Sequence, residues 1–412
     1  LLGLAQVGRH DDFFALGGHS LLAVRLIERM RELGWALEVR ALFATPVLAA
    51  LAASVVAARA VAVPPNPIPA GCSRITPELL TLLELTQPEI DAAVACVPGG
   101  AAQVQDIYPL APLQHGLLFH HLASAQGDAY LARDLLAFDT HAQLQGFLAA
   151  LQHVISRHDI LRTGFVWQGL REPVQLVWRE AVLPVHTHSF SGPDVAQQLQ
   201  QQLDPRHYRI DVSQAPLLHA HAAEDAQHGR WLLCLLSHHL VSDHTTLELL
   251  IEEIEALLGG RAHLLPTPLP FRDFVAQARL GVSQAEHEAF FRAMLGDVQE
   301  PSAPFGLLDV QGDGSTIAEA DVALPAELSR DLRAQARRLG VSAAALFHLA
   351  FALMLARTSA RSDVVFGTVL FGRLHGSTGA QRTLGMFLNT LPLRLRLDSL
   401  SVHAAVRHTQ QQ

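Results

Sequence analysis

Residues 237–247 read SHHLVSDHTTL, and four titratable side chains, His238, His239, Asp243 and His244, fall within seven positions. Such a set admits three chemistries. As metal ligands the residues are badly spaced: ligands converge at i, i+2 on a strand or i, i+4 on a helix, whereas adjacent His238 and His239 point to opposite sides of a strand end. No metal is therefore expected. As a structural unit, Asp243 caps a following helix and the histidines are satisfied polar groups. As a catalytic unit, a histidine at the end of a buried strand, oriented by a loop carboxylate, makes an acyl-transfer base.

A second pair, His120 and His121, stands in FHHLASAQGD ahead of Gly127 and Asp128. Taken alone it is the last turn of a helix, where the dipole favours histidine, followed by a Gly-Asp turn. Near the start of the chain, FFALGGHSLLAVRLIERM places Gly17, Gly18 and His19 directly before Ser20. Ser20 suits a helix N-cap. Equally, the glycines allow close approach to the backbone, and the positive end of the helix dipole would stabilise a phosphodiester carried on Ser20.

Positioning these residues requires particular elements. After Ser20, Ala23, Leu26, Ile27, Met30 and Leu33 follow a helical stripe that Gly34 stops, and LFATPVLAALAASVVAA is a further helical piece with Pro46 near a start. Together they predict a small helical bundle over residues 1–60. Residues 61–72 contain four prolines and read as a semi-rigid extended linker. Beyond it helix and strand patterns mix. WLLCLLS (231–237) is a buried strand, and TTLELLIEEIEALLGG is a helix with Leu247, Leu250, Ile251, Ile254 and Leu257 on one face. HHLVSDH is then a strand-to-helix loop. DVVFGTVLFGR (363–373) and LPLRLRL (391–397) are strands of a later α/β layer.

Composition narrows the classes further. With 412 residues, 50% hydrophobic and 17% charged, the chain has apolar material for two or three domains. A formal net charge of -9 with interspersed signs offers no basic stripe for nucleic acid. No apolar run suggests a membrane span or a signal peptide, so a cytoplasmic location is expected. Cys72, Cys96 and Cys234 show no pairing pattern and read as small apolar fillers. All 30 basic residues are arginine, which excludes a lysine-containing phosphate loop, a Schiff-base lysine and any lysine nucleophile.

DDFFALGGHSL closely resembles the attachment motif of peptidyl carrier proteins from nonribosomal peptide synthetases, a resemblance that covers residues 1 to about 60. It implies a 4′-phosphopantetheine arm on Ser20, with Gly18 and His19 beside it. HHLVSDH resembles the HHxxxDG motif of condensation domains, with His244 in the glycine position. RHDILRTGF (157–165), DVVFGTVLFGR and LGMFLNTLPLR (384–394) are similar to further motifs of that family in the expected order. The implied fold is the α/β, two-lobed, chloramphenicol acetyltransferase-like domain, with an N-lobe over 73–260 and a C-lobe over 261–412. By the same resemblance His239 is the catalytic histidine and His238 supports it. Asp243 would pair with Arg162 to hold the loop, and His244 would narrow the approach of the arm.

HHLxxxxGD is similar to the extra motif of dual epimerisation/condensation domains, which implies a second role for His120, His121, Gly127 and Asp128: inverting the donor Cα before condensation. The resemblance also implies partners, namely an upstream adenylation domain, a downstream acceptor carrier and a phosphopantetheinyl transferase. Relative to the two family patterns, the chain begins partway through the carrier and stops before the end of the second lobe. Plain condensation without epimerisation, and a non-catalytic module that only binds carriers, are the alternatives; His19 in place of an aspartate speaks against a stand-alone epimerase.

Overall fold

The computed structural model describes residues 1–18, 20–57, 61–124, 126–308, 318, 320–375, 380–398 and 400–412. The chain divides into two compact units, one of Leu1–Val61, Val282–Thr378 and Thr390–Gln412, the other of Ala62–Gly281 and Gly379–Asn389.

The first unit opens with α1 (Ser20–Glu32), a two-residue strand β1 (Trp35–Ala36), α2 (Val39–Ala44), α3 (Leu48–Ala53) and β2 (Val56–Ala57). Ala23 and Ile27 of the expected stripe are buried with Phe13, Leu37, Leu42 and Leu51. Leu33 is not: α1 ends at Glu32, Gly34 turns the chain at φ 81°, and Leu33 is left 68% exposed. The segment read as one helical piece is two helices. Pro46 has no N–H to donate and disfavours the helical region for the residue before it, so the chain breaks between Ala44 and Leu48. The expected all-helical bundle also carries an antiparallel ladder between β1 and β2.

The second unit contains α4 (Gln87–Val94), β3 (Val104–Pro109), α5 (Pro112–Ala123), β4 (Leu131–Phe138), α6 (His141–Arg157), β5 (Thr163–Val166), β6 (Val174–Trp178), β7 (Val185–His188), α7 (Val195–Gln202), β8 (Leu218–Asp225), β9 (Arg230–His238), α8 (His244–Leu258) and α9 (Phe271–Gly281). Its strands form a three-stranded sheet, β3-β6-β5, and a four-stranded sheet, β4-β9-β8-β7. As expected from its unbroken apolar run, β9 is interior: β4 and β8 flank it and residues 232–236 are buried. The α8 stripe is narrower than the sequence pattern, with Leu250 and Ile254 buried and Ile251 and Leu257 only partly so.

Two expected boundaries differ. The unit does not end at 260 but runs on through α9, because Phe271, Val275 and Ala276 complete its core with Phe387 from the returning segment. Nor does the proline segment hang free. Asn66 Nδ2 donates to the Gln105 carbonyl at 2.8 Å, Arg179 Nη2 to Pro69 O at 2.8 Å and Arg272 Nη1 to Pro64 O, while Ile68 joins the core.

The remainder of the first unit comprises α10 (Gln284–Leu295), α11 (Ala326–Leu339), α12 (Ala343–Ser359), β10 (Asp363–Phe371), β11 (Leu388–Arg396) and α13 (Val402–Gln411). The strands expected at 363–373 and 391–397 are β10 and β11, and they pair with each other. Ser342 caps α12 through the Ala345 N–H and Gly340 ends α11 in the left-handed region at φ 66°, which only a residue without Cβ adopts readily. Among the described residues no single helix is long and apolar enough to cross a membrane.

Candidate active site

Strand register brings the two His-His motifs together. In the β4–β9 ladder Leu131 stands opposite His238, so Asp128, three residues ahead of Leu131, arrives beside the end of β9. Gly127 makes that arrival possible. Its φ is +67°, and a Cβ there would lie 2.3 Å from the Arg206 carbonyl oxygen, so no side chain fits. The Asp128 N–H then donates to Pro205 O at 2.6 Å.

Asp128 is buried and links three elements. Its Oδ2 lies 2.6 Å from His121 Nδ1 and 3.0 Å from His238 Nε2, and its Oδ1 accepts the Tyr130 N–H at 3.0 Å. The tautomers follow from the outer partners. His238 Nδ1 accepts the Leu240 N–H at 3.0 Å, so the proton sits on Nε2 and points at Asp128. Arg209 Nη2 approaches His121 Nε2 at 3.0 Å, so the His121 proton sits on Nδ1 and also points at Asp128. Burial works to raise Asp128, but the donors from His121, His238 and Tyr130 outweigh it and hold the carboxylate well below its usual range. Burial likewise pushes His238 down, against the opposing pull of Asp128, so the ring stays neutral.

His238 therefore has both nitrogens engaged inside the protein, which leaves it no free nitrogen with which to share catalysis as a second base. His239 differs. It is half-buried, its N–H donates to Tyr130 O at 2.9 Å, and its Nδ1 lies 3.1 Å from the Ser242 carbonyl. A carbonyl can only accept, so Nδ1 carries the proton, and Nε2, which has no hydrogen-bond partner among the described residues, keeps its lone pair available as a base.

Asp243 caps α8 as the structural reading required: its Oδ1 accepts from Thr246 N and Oγ1, each at 2.8 Å. Its Oδ2 accepts the Phe387 N–H at 3.3 Å, and Thr246 Oγ1 meets the Gly385 N and O at 2.9 Å each. The LGMFLNT segment is thereby tied to the histidine loop. The expected pair between Asp243 and Arg162 does not form. Arg162 opens the way into β5 and is spent there, donating to Gln105 Oε1 and to the carbonyls of Trp178 and Arg179. His244 takes the first helical position of α8, where a Cβ is readily accommodated, and its side chain is 82% exposed beside Glu248.

His120 sits exposed on the last turn of α5 and contacts Phe119 and Tyr130 edge-on or tilted, so only His121 of that pair enters the network. Two members escaped the sequence reading. Gln114 reaches back to the Ala111 N–H, a helix-start signal visible in PLQ, and its Nε2 donates to Leu240 O at 2.7 Å, fastening α5 to the histidine loop. Arg209 also binds the carbonyls of His121 and Gly127; nothing in its local sequence marks it. The ligand atoms of His121, Asp128 and His238 lie close enough for a metal, a convergence the spacing argument did not foresee, yet two of those positions carry protons donated to the third.

Ser20 is the first residue of α1; its side chain, and His19, lie outside the described residues. Ahead of it Gly17 has φ +98°, and a Cβ on Gly18 would collide with the Phe13 ring at 2.4 Å. A turn this close feeds directly into a 13-residue helix, and a helix start is where a phosphate carried on Ser20 is favoured.

Comparison with known proteins agrees with this geometry. The condensation-domain family profile matches residues 104–412, and that of the phosphopantetheine attachment site matches residues 1–55. The chain is 51% identical to malpinin synthetase of Mortierella alpina over 99% of its own length, and 49% identical to malpibaldin synthetase of the same organism over 100%. It spans only 5% and 7% of those two proteins. Among solved structures, the condensation domain of monacolin K polyketide synthase aligns with a TM-score of 0.57 at 20% identity, covering 75% of this chain and 72% of that one. A four-domain nonribosomal peptide synthetase aligns at 0.61 and 17% identity, covering 75% of this chain and 24% of that one. The attachment-site match makes 4′-phosphopantetheine the covalent cofactor. With its histidine loop, its returning LGMFLNT segment and a carrier-type serine ahead of them, the chain belongs to the condensation-domain family.

Proposed function

We propose that this chain is a nonribosomal peptide synthetase segment in which a carrier presents its acyl group to the domain that follows, and that domain forms a peptide bond with an incoming aminoacyl acceptor. When bound, the cofactor supplies a thiol on which the acyl group is held as an activated thioester. The observation that carries the reading is the state of His239: Nδ1 is fixed by the Ser242 carbonyl, and Nε2 has no hydrogen-bond partner among the described residues. In that role Nε2 accepts a hydrogen bond from the attacking amine, aligns it and takes its proton as the bond forms. His238, Asp128 and His121 are positioning residues that hold the loop, and Asp243 fixes where α8 begins. The proposed layout is a carrier over 1–60, a linker over 61–72 and two lobes divided near 281. An upstream adenylation domain, a downstream acceptor carrier and a phosphopantetheinyl transferase complete the cycle.

His239→Ala is expected to lower single-turnover peptide formation by about 10²-fold to 10⁴-fold while leaving modification of Ser20 unchanged. Near-normal peptide formation by this variant would sink the assignment.

A second reading is favoured by Asp128, because the HHLxxxxGD motif meets the histidine loop through that one carboxylate. It adds epimerisation of the donor Cα before condensation. Both nitrogens of His121 and of His238 are occupied, so the proton steps fall to His239 rather than to the second motif. Loading Ser20 with an L-configured donor in heavy water tests it: α-deuteration and D-product are expected. Retained L-configuration without exchange, in a preparation that still forms the bond, would reduce the activity to plain condensation.

A further inference from the structure

Away from the histidine loop, the edge of the four-stranded sheet carries a second histidine cluster. β7 is the edge strand and pairs in parallel with β8, in the register His186↔His221 and His188↔Ala223. Because side chains alternate, His186 and His188 on β7 and His219 and His221 on β8 all project from one face. The rings stack on one another: the His186 and His221 centroids are 4.8 Å apart at 23°, and those of His188 and His221 5.2 Å apart at 27°.

Four imidazoles side by side need an explanation, and hydrogen bonding supplies only part of it. His221 Nδ1 lies 2.9 Å from His188 Nε2, and His221 Nε2 lies 3.3 Å from the Tyr208 hydroxyl. His219 Nδ1, by contrast, is buried with no hydrogen-bond partner. One ligand nitrogen from each of His186, His219 and His221 lies within 4.8 Å of the other two. Around a tetrahedral zinc ion with bonds of about 2.0–2.1 Å the ligand atoms stand about 3.4 Å apart, so small side-chain rotations close the set.

We propose that His186, His219 and His221 bind a divalent transition metal of the zinc type, which cross-links the edge strand β7 to β8. The donor set is purely imidazole, the chemistry suited to Zn²⁺, Cu²⁺ or Ni²⁺ rather than to Mg²⁺ or Ca²⁺. Whichever nitrogen of His221 coordinates, the other keeps His188 or Tyr208 as its partner, the outer support a ligating histidine requires. The groups facing the cluster suit it as well. The unpartnered, buried Nδ1 of His219 is the nitrogen a metal would satisfy. Cys234 stands opposite His221 in the β8–β9 register and is buried.

The test is zinc titration of the metal-stripped 412-residue chain near pH 7.5 by calorimetry, with Co²⁺ absorption as a second readout. One equivalent bound with tetrahedral Co²⁺ bands is expected. His186→Ala, at an exposed position where folding is not at risk, should weaken binding by more than about a hundredfold, since loss of an outer partner alone costs about 10–100-fold. His263→Ala, an exposed histidine elsewhere, should change nothing. A zinc-dependent rise in the thermal midpoint should be present in the parent chain and absent in His186→Ala. Absence of binding, or the same affinity in His186→Ala and His219→Gln as in the parent, would overturn the proposal and in the latter case place the metal elsewhere.

Discussion

Replacing Asp128 with asparagine changes one atom's chemistry and leaves the side-chain volume almost untouched. The carboxylate now takes three N–H donors: His121 Nδ1 at 2.6 Å and His238 Nε2 at 3.0 Å on Oδ2, and Tyr130 N at 3.0 Å on Oδ1. An asparagine has one accepting oxygen. If it faces the two imidazoles, its NH₂ confronts the Tyr130 N–H; if it turns over, two buried imidazole donors are stranded. His238 cannot adapt by moving its proton, because its Nδ1 is held by the Leu240 N–H. Hydrogen bonds to a charged group contribute about 1.5–3 kcal/mol each, so the better orientation loses one bond and weakens two, a net cost of about 2–4 kcal/mol. Urea unfolding followed by tryptophan fluorescence, to which Trp167, Trp178 and Trp231 of the second unit contribute, reads this directly. With a slope of about 3 kcal/mol/M, the midpoint should fall by about 1 M. Peptide formation should fall with it while Ser20 modification holds. A midpoint within about 0.2 M of the parent, with parental rates, would refute the shared-acceptor arrangement.

Gly127→Ala is expected to destabilise the second unit by at least about 2 kcal/mol, since the added Cβ meets the Arg206 carbonyl at 2.3 Å and φ is +67°; calorimetric melting at matched pH checks it, and an unchanged midpoint contradicts it. Acidification gives a signed prediction. Folded His221, pushed down to about 3, binds a proton less readily than the unfolded chain does near pH 6.5, so its contribution is complete above that pH and declines below it, by about 1.4 kcal/mol at pH 5.5; His238, lowered by burial, shifts stability in the same direction. Asp106, raised by burial to about 6, returns about 1 kcal/mol over the same window. The histidine loss outweighs that return, so the urea midpoint should fall between pH 7.5 and 5.5, and a flat profile would contradict it.

Local pattern made much of this structure legible. The unbroken apolar run of β9, the period of α8, the loop between them and the Asp243 cap are all readable within about twenty residues of sequence, because each is settled by near-neighbour physics. The motif resemblance located the histidine loop and the attachment serine. What stayed hidden depends on register between distant strands. Asp128 and His238 are 110 residues apart, and only the β4–β9 ladder makes them partners. The destination of Arg162 failed for the same reason: its polar neighbours come from β3 and from the end of β6, not from the loop the motif order suggested. The β7–β8 histidines are spread over 36 positions and form a cluster only once a parallel edge is built.

The anchoring of the proline segment changes what that stretch is. With the carbonyls of Pro64 and Pro69 held by Arg272 and Arg179, and Ile68 packed in the core, the chain from Pro64 onward moves as part of the second unit instead of swinging as a free linker. Losing those arginine contacts would return the stretch to the semi-rigid extended chain its prolines favour, without touching any group that handles the acyl chain.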